Sequence, residues 1–210
     1  MSVKWCLAAV LIVFLLPSAV CAHDLWIENA PAGLTLYCGH KYGHKHTEDL
    51  GAVLVEYAPE IIVRADCFDT RGNIRPAGLT AESPVTIDGP CAVVFVLTST
   101  GFWTKTPYGT RNIPKTEADN PIKSWLSYES VKRIDAWSEA LASPLTTNLE
   151  ITPVKNPLVL EKGKKLRLLV TTDGKPAPGV TVSYDGEPRG VTGKDGRINI
   201  KLRHGGFQLV

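Results

Sequence analysis

The sequence has no strong excess of charge and lacks the short motifs that mark common catalytic sites. Lysine and arginine number 23 against 21 acidic residues, and the net charge of +2 gives no reason to expect a nucleic-acid partner. The patterns G-x-S-x-G, H-E-x-x-H and C-x-x-C do not occur, and neither does a glycine-rich phosphate loop. We therefore expect a binding protein rather than an enzyme.

One long hydrophobic run stands near the start of the chain. The stretch WCLAAVLIVFLLPSAV is too short for a comfortable membrane span and is interrupted by Pro17. It follows a lysine and ends in a small-residue pattern, which predicts a signal peptide over residues 1–22 with cleavage after Ala22. The alternatives are an uncleaved anchor and a lipid attached to Cys21. Cleavage would leave a periplasmic or secreted protein with no stable membrane span.

Cleavage also changes the cysteine count. It removes Cys6 and Cys21, and Cys38, Cys67 and Cys91 remain. Three is an odd number, so in an oxidising compartment we expect two cysteines to pair and one to stay free or bind something. Cys67 and Cys91 both lie on strand-like segments and are the favoured pair, although the sequence alone does not fix the pairing.

The hydrophobic pattern predicts a mainly β protein. Short β-branched segments bounded by Gly, Pro, Asn or Asp predict strands of an antiparallel sandwich at 33–38, 52–57, 60–68, 85–87 and 92–99. The polar stretch 105–123 carries three prolines and predicts a long ordered loop. These segments define an N-terminal β-sandwich domain over residues 23–147.

One segment of this domain carries a helical pattern. Its aromatic and aliphatic residues recur every three or four positions, which predicts an amphipathic helix over residues 125–142. Ser124 would cap the start of this helix, and Pro144 would end it. The residues with this spacing are Trp125, Tyr128, Val131, Ile134, Trp137 and Leu141.

The pattern after residue 148 alternates apolar and polar residues between closely spaced glycine turns. It predicts a second, small β-sandwich over residues 148–210, so the expected fold is two immunoglobulin- or prealbumin-like sandwiches with one helix between them. The sequence stops at FQLV, inside a strand-like run. Either the fold ends on this edge or the sequence is truncated.

Three of the five histidines lie within seven residues. His40, His44 and His46 form a His-rich tract of the kind that binds metals. An extended chain would point all three to one side, whereas a helix would bring only His40 and His44 together. In the extended case Lys41 and Lys45 would point away and would not repel a cation.

His23 would become the first residue of the mature protein. Its α-amine and ring could then chelate one ion, and Asp24 could add a backbone amide or an outer carboxylate. A nitrogen-rich ligand set favours Ni, Co, Cu and Zn over Mg and Ca. The predicted metal ligands are therefore His23, His40 and His44, with His46 added when the loop is extended.

Several alternatives stay open. Cys38 could be a soft ligand, although its place at the end of an apolar strand favours a core thiol or a disulfide. The histidines could be incidental in a structural module that binds an envelope protein or a polysaccharide. A copper oxidase would also use an N-terminal histidine, and Tyr42 could then be an axial ligand. His204, in a glycine turn, is expected to be a turn residue only.

Several stretches resemble the periplasmic metal-binding family of cobalt and nickel uptake, which is related to NikM-type transport subunits and carries domain of unknown function 4198. They are AHDLWIE (22–28), GHKYGHKH (39–46), GFWTKTPYG (101–109), SWLSYESVKRI (124–134), GKPAPGVTVSYDG (174–186) and TGKDGRINIKL (192–202). The resemblance implies a two-part, β-rich periplasmic protein that captures Ni²⁺ or Co²⁺ for a membrane transport complex, with Cu²⁺ or Zn²⁺ as alternatives.

The resemblance also assigns the metal ligands. It transfers this role to His23, His40 and His44. The sequence departs from the family pattern at LYCGH, where a cysteine precedes the glycine, and this departure leaves the identity of the metal open. Membrane-integrated relatives carry a C-terminal transmembrane helix that is absent here, so the protein is expected to be soluble or to lack its tail.

Overall fold

The computed structural model describes residues 24–31, 33–41 and 52–210. Within them the chain forms fifteen strands and three short 3₁₀ turns, the turns at Pro59–Ile61, Lys115–Glu117 and Glu139–Ala142. The strands are β1 (Asp24–Ala30), β2 (Gly33–His40), β3 (Val53–Leu54), β4 (Ile62–Phe68), β5 (Ile74–Pro76), β6 (Thr86–Ile87), β7 (Val93–Thr106), β8 (Gly109–Arg111), β9 (Lys123–Ile134), β10 (Glu150–Pro153), β11 (Lys165–Thr172), β12 (Lys175–Pro176), β13 (Thr181–Tyr184), β14 (Glu187–Val191) and β15 (Arg197–Lys201). The expectation of a mainly β protein is confirmed.

The strands form four antiparallel sheets. The first contains β1, β2, β3 and β6, and the second contains β4, β5, β7, β8 and β9. The third contains β10, β11, β12 and β15, and the fourth is the hairpin of β13 and β14. None of the helices among the described residues is long and apolar enough to cross a membrane.

The helix predicted over residues 125–142 is wrong. Its first part belongs to β9, which pairs with β7 from Val93↔Ile134 to Lys105↔Lys123. Its last part contains only the 3₁₀ turn Glu139–Ala142. Serine, tryptophan, tyrosine and valine are weak helix formers, and aromatic and β-branched residues fit a pleated sheet well. Hydrogen bonding along β7 therefore overrides the helical spacing.

Three clusters of buried side chains form the interior. The first two lie in the first two sheets, around Ile27, Leu36 and Val96 and around Phe68 and Phe95. The third lies in the last two sheets and draws its buried members from residues 166–202. No buried residue is shared between the first two clusters and the third among the residues that the structure describes.

A disulfide ties the second sheet to the loop before β7. It joins Cys67 of β4 to Cys91, the pair that the sequence favoured. Cys67 pairs with Val94 of β7, so the crosslink closes beside the most buried part of that strand. Cys38 is a free thiol in the structure.

The β7–β9 ribbon has two halves with different surroundings. The register shifts between Thr98 and Gly101, and this bulge separates them. Gly101 has a φ of +81°, which side chains with a Cβ rarely adopt. We call the part of β7 and β9 before the bulge, residues 93–98 and 129–134, the inner half. We call residues 101–128, with their connecting loop, the outer arm.

A buried ion pair joins the inner half to β10. Lys132 donates to Glu150 at 2.6 Å, and the two side chains are 7% and 0% exposed. The carboxylate also accepts hydrogen bonds from the backbone N–H groups of Leu145 and Thr146 and from the Thr152 hydroxyl. Because a buried charge is costly unless it is paired and hydrogen-bonded, this set of partners accounts for Glu150 in the interior.

Candidate metal centre

One of the four predicted metal ligands lies within the described residues. His40 is the last residue of β2 and is partly buried. The other three, His23, His44 and His46, lie outside the described residues, as do Tyr42 and the predicted signal peptide. At His40, where the histidine tract begins, the backbone is therefore extended, as in the first of the two conformations considered for the tract.

His40 lies where three strands meet. Gly39 pairs with Asp24, the first residue of β1, and His40 pairs with Val53 of β3. A Cβ on Gly39 would lie 2.0 Å from the Val53 carbonyl oxygen, and the φ of Gly39 is +142°. The close approach of β3 therefore requires glycine before His40, and this glycine sets the position of the histidine backbone.

Cys38 shares its side of β2 with His40, because alternate residues of a strand point the same way. Burial raises the pKa of the Cys38 thiol, and the carboxylates of Glu129 and Asp24 raise it further. The thiol is thus held in its neutral form, which is the weaker metal ligand. The two carboxylates carry negative charge, the sign that a cation site requires.

The charge of Lys41 is neutralised by a nearby carboxylate. Its ammonium pairs with Glu28, whose other oxygen accepts a hydrogen bond from Trp26 Nε1 at 3.1 Å. The ammonium also lies 5.7 Å from the centre of the Trp26 ring and 5.3 Å from that of Phe207. These contacts fix Lys41 at Glu28 and reduce its repulsion of a cation near His40.

His204 lies in a different environment. Its Nε2 is 2.8 Å from Asp185 Oδ2, and its ring stacks on Tyr184 with 5.9 Å between centres. Hydrogen bonds to the Gly205 carbonyl and to Asp185 raise the pKa of His204. The side chain holds a bend in the chain, as expected of a turn residue.

The described residues alone do not form a metal site. Among them, no group of three or more His, Cys, Asp or Glu side chains is arranged to hold an ion. A site of the predicted kind would need residues outside the described ranges. Within those ranges, the structure supplies a positioned imidazole at His40 and two acidic neighbours, Asp24 and Glu129, of the nearby Cys38.

Two features of this region do not follow from the sequence. The close approach of β3 that requires glycine at position 39 is a long-range contact. Glu129 fell in the predicted helix and was therefore not connected with the histidines. The stretch SYESV does not alternate apolar and polar residues, so it gives no local signal for the strand that brings β9 into contact with β1.

A cleft of about 800 Å³ lies between β1, β9 and β10, and residues 206–210 also line it. Arg133 lines it and donates to the Ile27 carbonyl, to Asn29 and to both oxygens of Asp135. These hydrogen bonds join β9 to β1.

The remaining information comes from comparison with known proteins. No curated protein and no solved structure matches the chain. A family model described as Domain of unknown function (DUF4198) matches residues 20–210, so the match includes every strand described above and the positions of all four predicted ligands. The chain belongs to the family described as Domain of unknown function (DUF4198).

Proposed function

We propose that the protein captures a divalent transition metal ion, Ni²⁺ or Co²⁺ with Cu²⁺ or Zn²⁺ as alternatives, and passes it to a membrane transport complex. It does so as a periplasmic or secreted binding protein, not as an enzyme. The motif resemblance to NikM-related uptake proteins supports this proposal. The ion is chelated by the amine and ring of His23 together with ring nitrogens of His40, His44 and His46.

The observation that carries the proposal is the register of β1 and β2. Asp24 lies opposite Gly39, the neighbour of His40, and His23 directly precedes Asp24 in the sequence. Directly opposite residues of a strand pair have Cβ atoms about 5 Å apart. The first described residue of β1 is therefore close to the end of β2 that carries His40, and this supports a site that combines His40 with the N-terminal end of the mature chain.

The charges around His40 support a cation site. Asp24 and Glu129 place negative charge near Cys38, and Glu28 neutralises Lys41. Mg²⁺ and Ca²⁺ take six or more oxygen ligands, whereas the proposed ligands are imidazole and amine nitrogens. The imidazoles favour the later transition metals instead.

We propose further that the chain is organised as two β-sandwich units, residues 23–147 and 148–210. The division of the interior supports this, since two buried clusters lie before residue 146 and the third lies after residue 150. In this organisation the Lys132–Glu150 ion pair links the units. The metal site belongs to the first unit, at its N-terminal edge.

The test is isothermal titration of untagged mature protein, starting at His23, with Ni²⁺. One added N-terminal glycine removes the chelate ring, and we expect affinity to fall by at least about tenfold. His40→Ala should produce a loss of similar size. His204→Ala, a matched histidine deletion in the second unit, should leave affinity unchanged. An unchanged affinity in the glycine-extended protein would rule out the chelate.

Binding should also depend on pH. Imidazole and amine nitrogens must lose their protons to bind a metal, so we expect Ni²⁺ affinity to fall below about pH 6. Protein purified natively in chelator-free buffer should retain metal. Metal-free protein that also fails to bind Ni²⁺ would favour the alternative, a structural or interaction module with incidental histidines.

A further inference from the structure

The outer arm exposes large apolar side chains to solvent in the part of the chain that the structure describes. Five of them are between 39% and 84% exposed: Phe102, Tyr108, Trp125, Leu126 and Tyr128. In the inner half, by contrast, the β7 residues Val93 to Val96 are no more than 1% exposed, and the β9 residues 130–134 are partly buried. The change occurs at the bulge between Thr98 and Gly101.

These side chains occupy both faces of the arm. Trp103 pairs with Trp125, and opposite residues point to the same face. Phe102 pairs with Leu126 on the other face, and Tyr128 follows Leu126 by two positions on that same side. Tyr108, 84% exposed, lies in the turn at the end of β7.

The arm also carries unpaired positive charge. Residues 101–128 contain two acidic residues, Glu117 and Asp119, and four basic residues, which are Lys105, Arg111, Lys115 and Lys123. In the part of the chain that the structure describes, none of the four basic side chains forms an ion pair.

Two of these lysines are placed unfavourably for an isolated protein. Lys105 lies directly opposite Lys123, on the same face as the two tryptophans. Like charges in this position destabilise a strand pair. The Lys123 ammonium lies 5.9 Å from the centre of the Trp125 ring, so aromatic and cationic groups form one continuous surface. An anion bound there would relieve the repulsion.

We propose that the outer arm binds an anionic lipid surface, with its aromatic side chains in the headgroup layer and its lysines on lipid phosphates. Tryptophan and tyrosine are enriched at this depth, and long lysine side chains reach the phosphates from it. Apolar groups on both faces and at the tip suit a layer that surrounds the arm, and the lysines beside them match the negative charge of lipid phosphates.

The dimensions of the arm agree with this assignment. From Gly101 to Thr106 a strand extends about 17 Å, which exceeds the roughly 5–10 Å depth at which apolar groups lie in the interface. The arm therefore reaches the interface without bringing the buried inner half into the lipid. The proposal does not depend on the metal site, whose predicted residues all lie outside the arm.

The first experiment is co-sedimentation of the full mature chain with phosphatidylcholine vesicles, with and without phosphatidylglycerol. Binding should require phosphatidylglycerol and weaken with added salt. K105Q/K123Q should weaken binding by about fivefold for each lysine removed. K164Q/K194Q, which removes two exposed lysines of another part of the chain, should have a much smaller effect. No phosphatidylglycerol-dependent binding, or equal losses in both variants, would overturn the proposal.

The second experiment tests the aromatic contribution. Y108S/W125S, at two exposed sites, should fold normally by circular dichroism and lose most vesicle binding. Brominated lipids should quench tryptophan fluorescence in the wild type and less in this variant. Dextran sulfate bound as tightly as vesicles, with no loss in Y108S/W125S, would show a polyanion site and overturn the lipid assignment. A dimer in analytical ultracentrifugation that Y108S/W125S abolishes would overturn it in favour of a second copy of the chain.

Discussion

The inner half and the outer arm of the β7–β9 ribbon are built from the same two strands but differ in solvent exposure. In the inner half, Phe95 of β7 is 1% exposed and packs with Phe68 and Leu141. In the outer arm, Phe102 of the same strand is 50% exposed. β7 and β9 pair in the inner half and in the outer arm, so backbone hydrogen bonds hold the two strands together along their length. The packing of neighbouring elements determines which part of the ribbon is buried.

The comparison shows why hydrophobicity alone does not locate the core. Aromatic and aliphatic residues occur in both parts, yet only the inner half is covered by β4, β10 and the chain around Leu141. Contiguous exposed apolar patches are typical of interaction sites, and we propose that the outer arm is one. Stability and binding should therefore respond to changes in different halves.

The largest effect is expected from truncating the buried ring. Phe95→Ala should lower the free energy of unfolding by about 4 kcal/mol, because it removes buried area and leaves a cavity. Phe102→Ala, the same change in the outer arm, should alter it by no more than about 0.5 kcal/mol. Urea denaturation of both variants measures the difference. Equal losses would mean that the outer arm is part of the core.

The next effect concerns the attachment of the inner half to β10. Glu150→Gln leaves the Lys132 ammonium buried without its counter-charge, and we expect a loss of about 3 kcal/mol. Glu117→Gln, an exposed carboxylate in the outer arm, is the matched control and should be near neutral. Thermal denaturation followed by circular dichroism distinguishes them. A neutral Glu150→Gln would show that the ion pair does not hold the junction together.

A somewhat smaller effect is expected at the disulfide. Cys67 and Cys91 are 24 residues apart, and releasing this loop in C67S/C91S should cost about 2–3 kcal/mol, mainly through the unfolded state. Reduction of the wild type should reproduce the loss, whereas it should not change C67S/C91S. Vesicle binding by the outer arm should survive in the folded variant, and its loss would show that the two halves are coupled.

The smallest effect is a dependence on pH. Burial acts to raise the pKa of Glu150, but Lys132 and the hydrogen bonds outweigh it and hold the pKa below its usual range. The stabilisation from this carboxylate is therefore complete above the pH at which glutamate titrates in the unfolded chain, and it is lost as the pH falls through the lower folded-state value. The stability difference between wild type and Glu150→Gln should shrink on acidification. A constant difference would contradict this assignment.

Much of the fold follows from the sequence where alternation and turn residues agree. The segments 33–38, 60–68 and 92–99 were predicted as strands and overlap β2, β4 and β7, although residues 60 and 61 belong to the 3₁₀ turn Pro59–Ile61 and residue 92 precedes β7. The Cys67–Cys91 pair was also favoured correctly. Of the segment 52–57, only Val53 and Leu54 form a strand, because their pairing with β2 is limited to Gly39 and His40.

The helix error has a physical cause. Trp125 and Tyr128 are three residues apart, which fits a helix, but both are exposed side chains of the outer arm. In a strand, a spacing of three puts the two side chains on opposite faces, so it carries no information about a buried helical stripe. Long-range pairing with β7, which sequence periodicity does not report, decides the conformation.

The sequence predicts which residue types would form the candidate metal site but not how they are arranged in space. His40 is placed at a strand end, as an extended tract requires, and the family resemblance that named domain of unknown function 4198 is confirmed. The nickel and cobalt assignment and the roles of His23, His44 and His46 stay predictions. Ligand convergence depends on loop geometry, and local sequence spacing does not determine that geometry.

The bulge at Gly101 has a consequence for how such a protein changes over time. Because the register shift separates the covered half of the ribbon from the exposed half, substitutions of the exposed side chains beyond it leave the three buried clusters untouched. We therefore expect the exposed side chains at the tip of the arm to tolerate substitution without loss of stability. For the same reason, we expect residues 101–128 to be exchangeable as a unit. Replacing them with a hairpin of different sequence should yield a protein that still folds but has a different binding specificity.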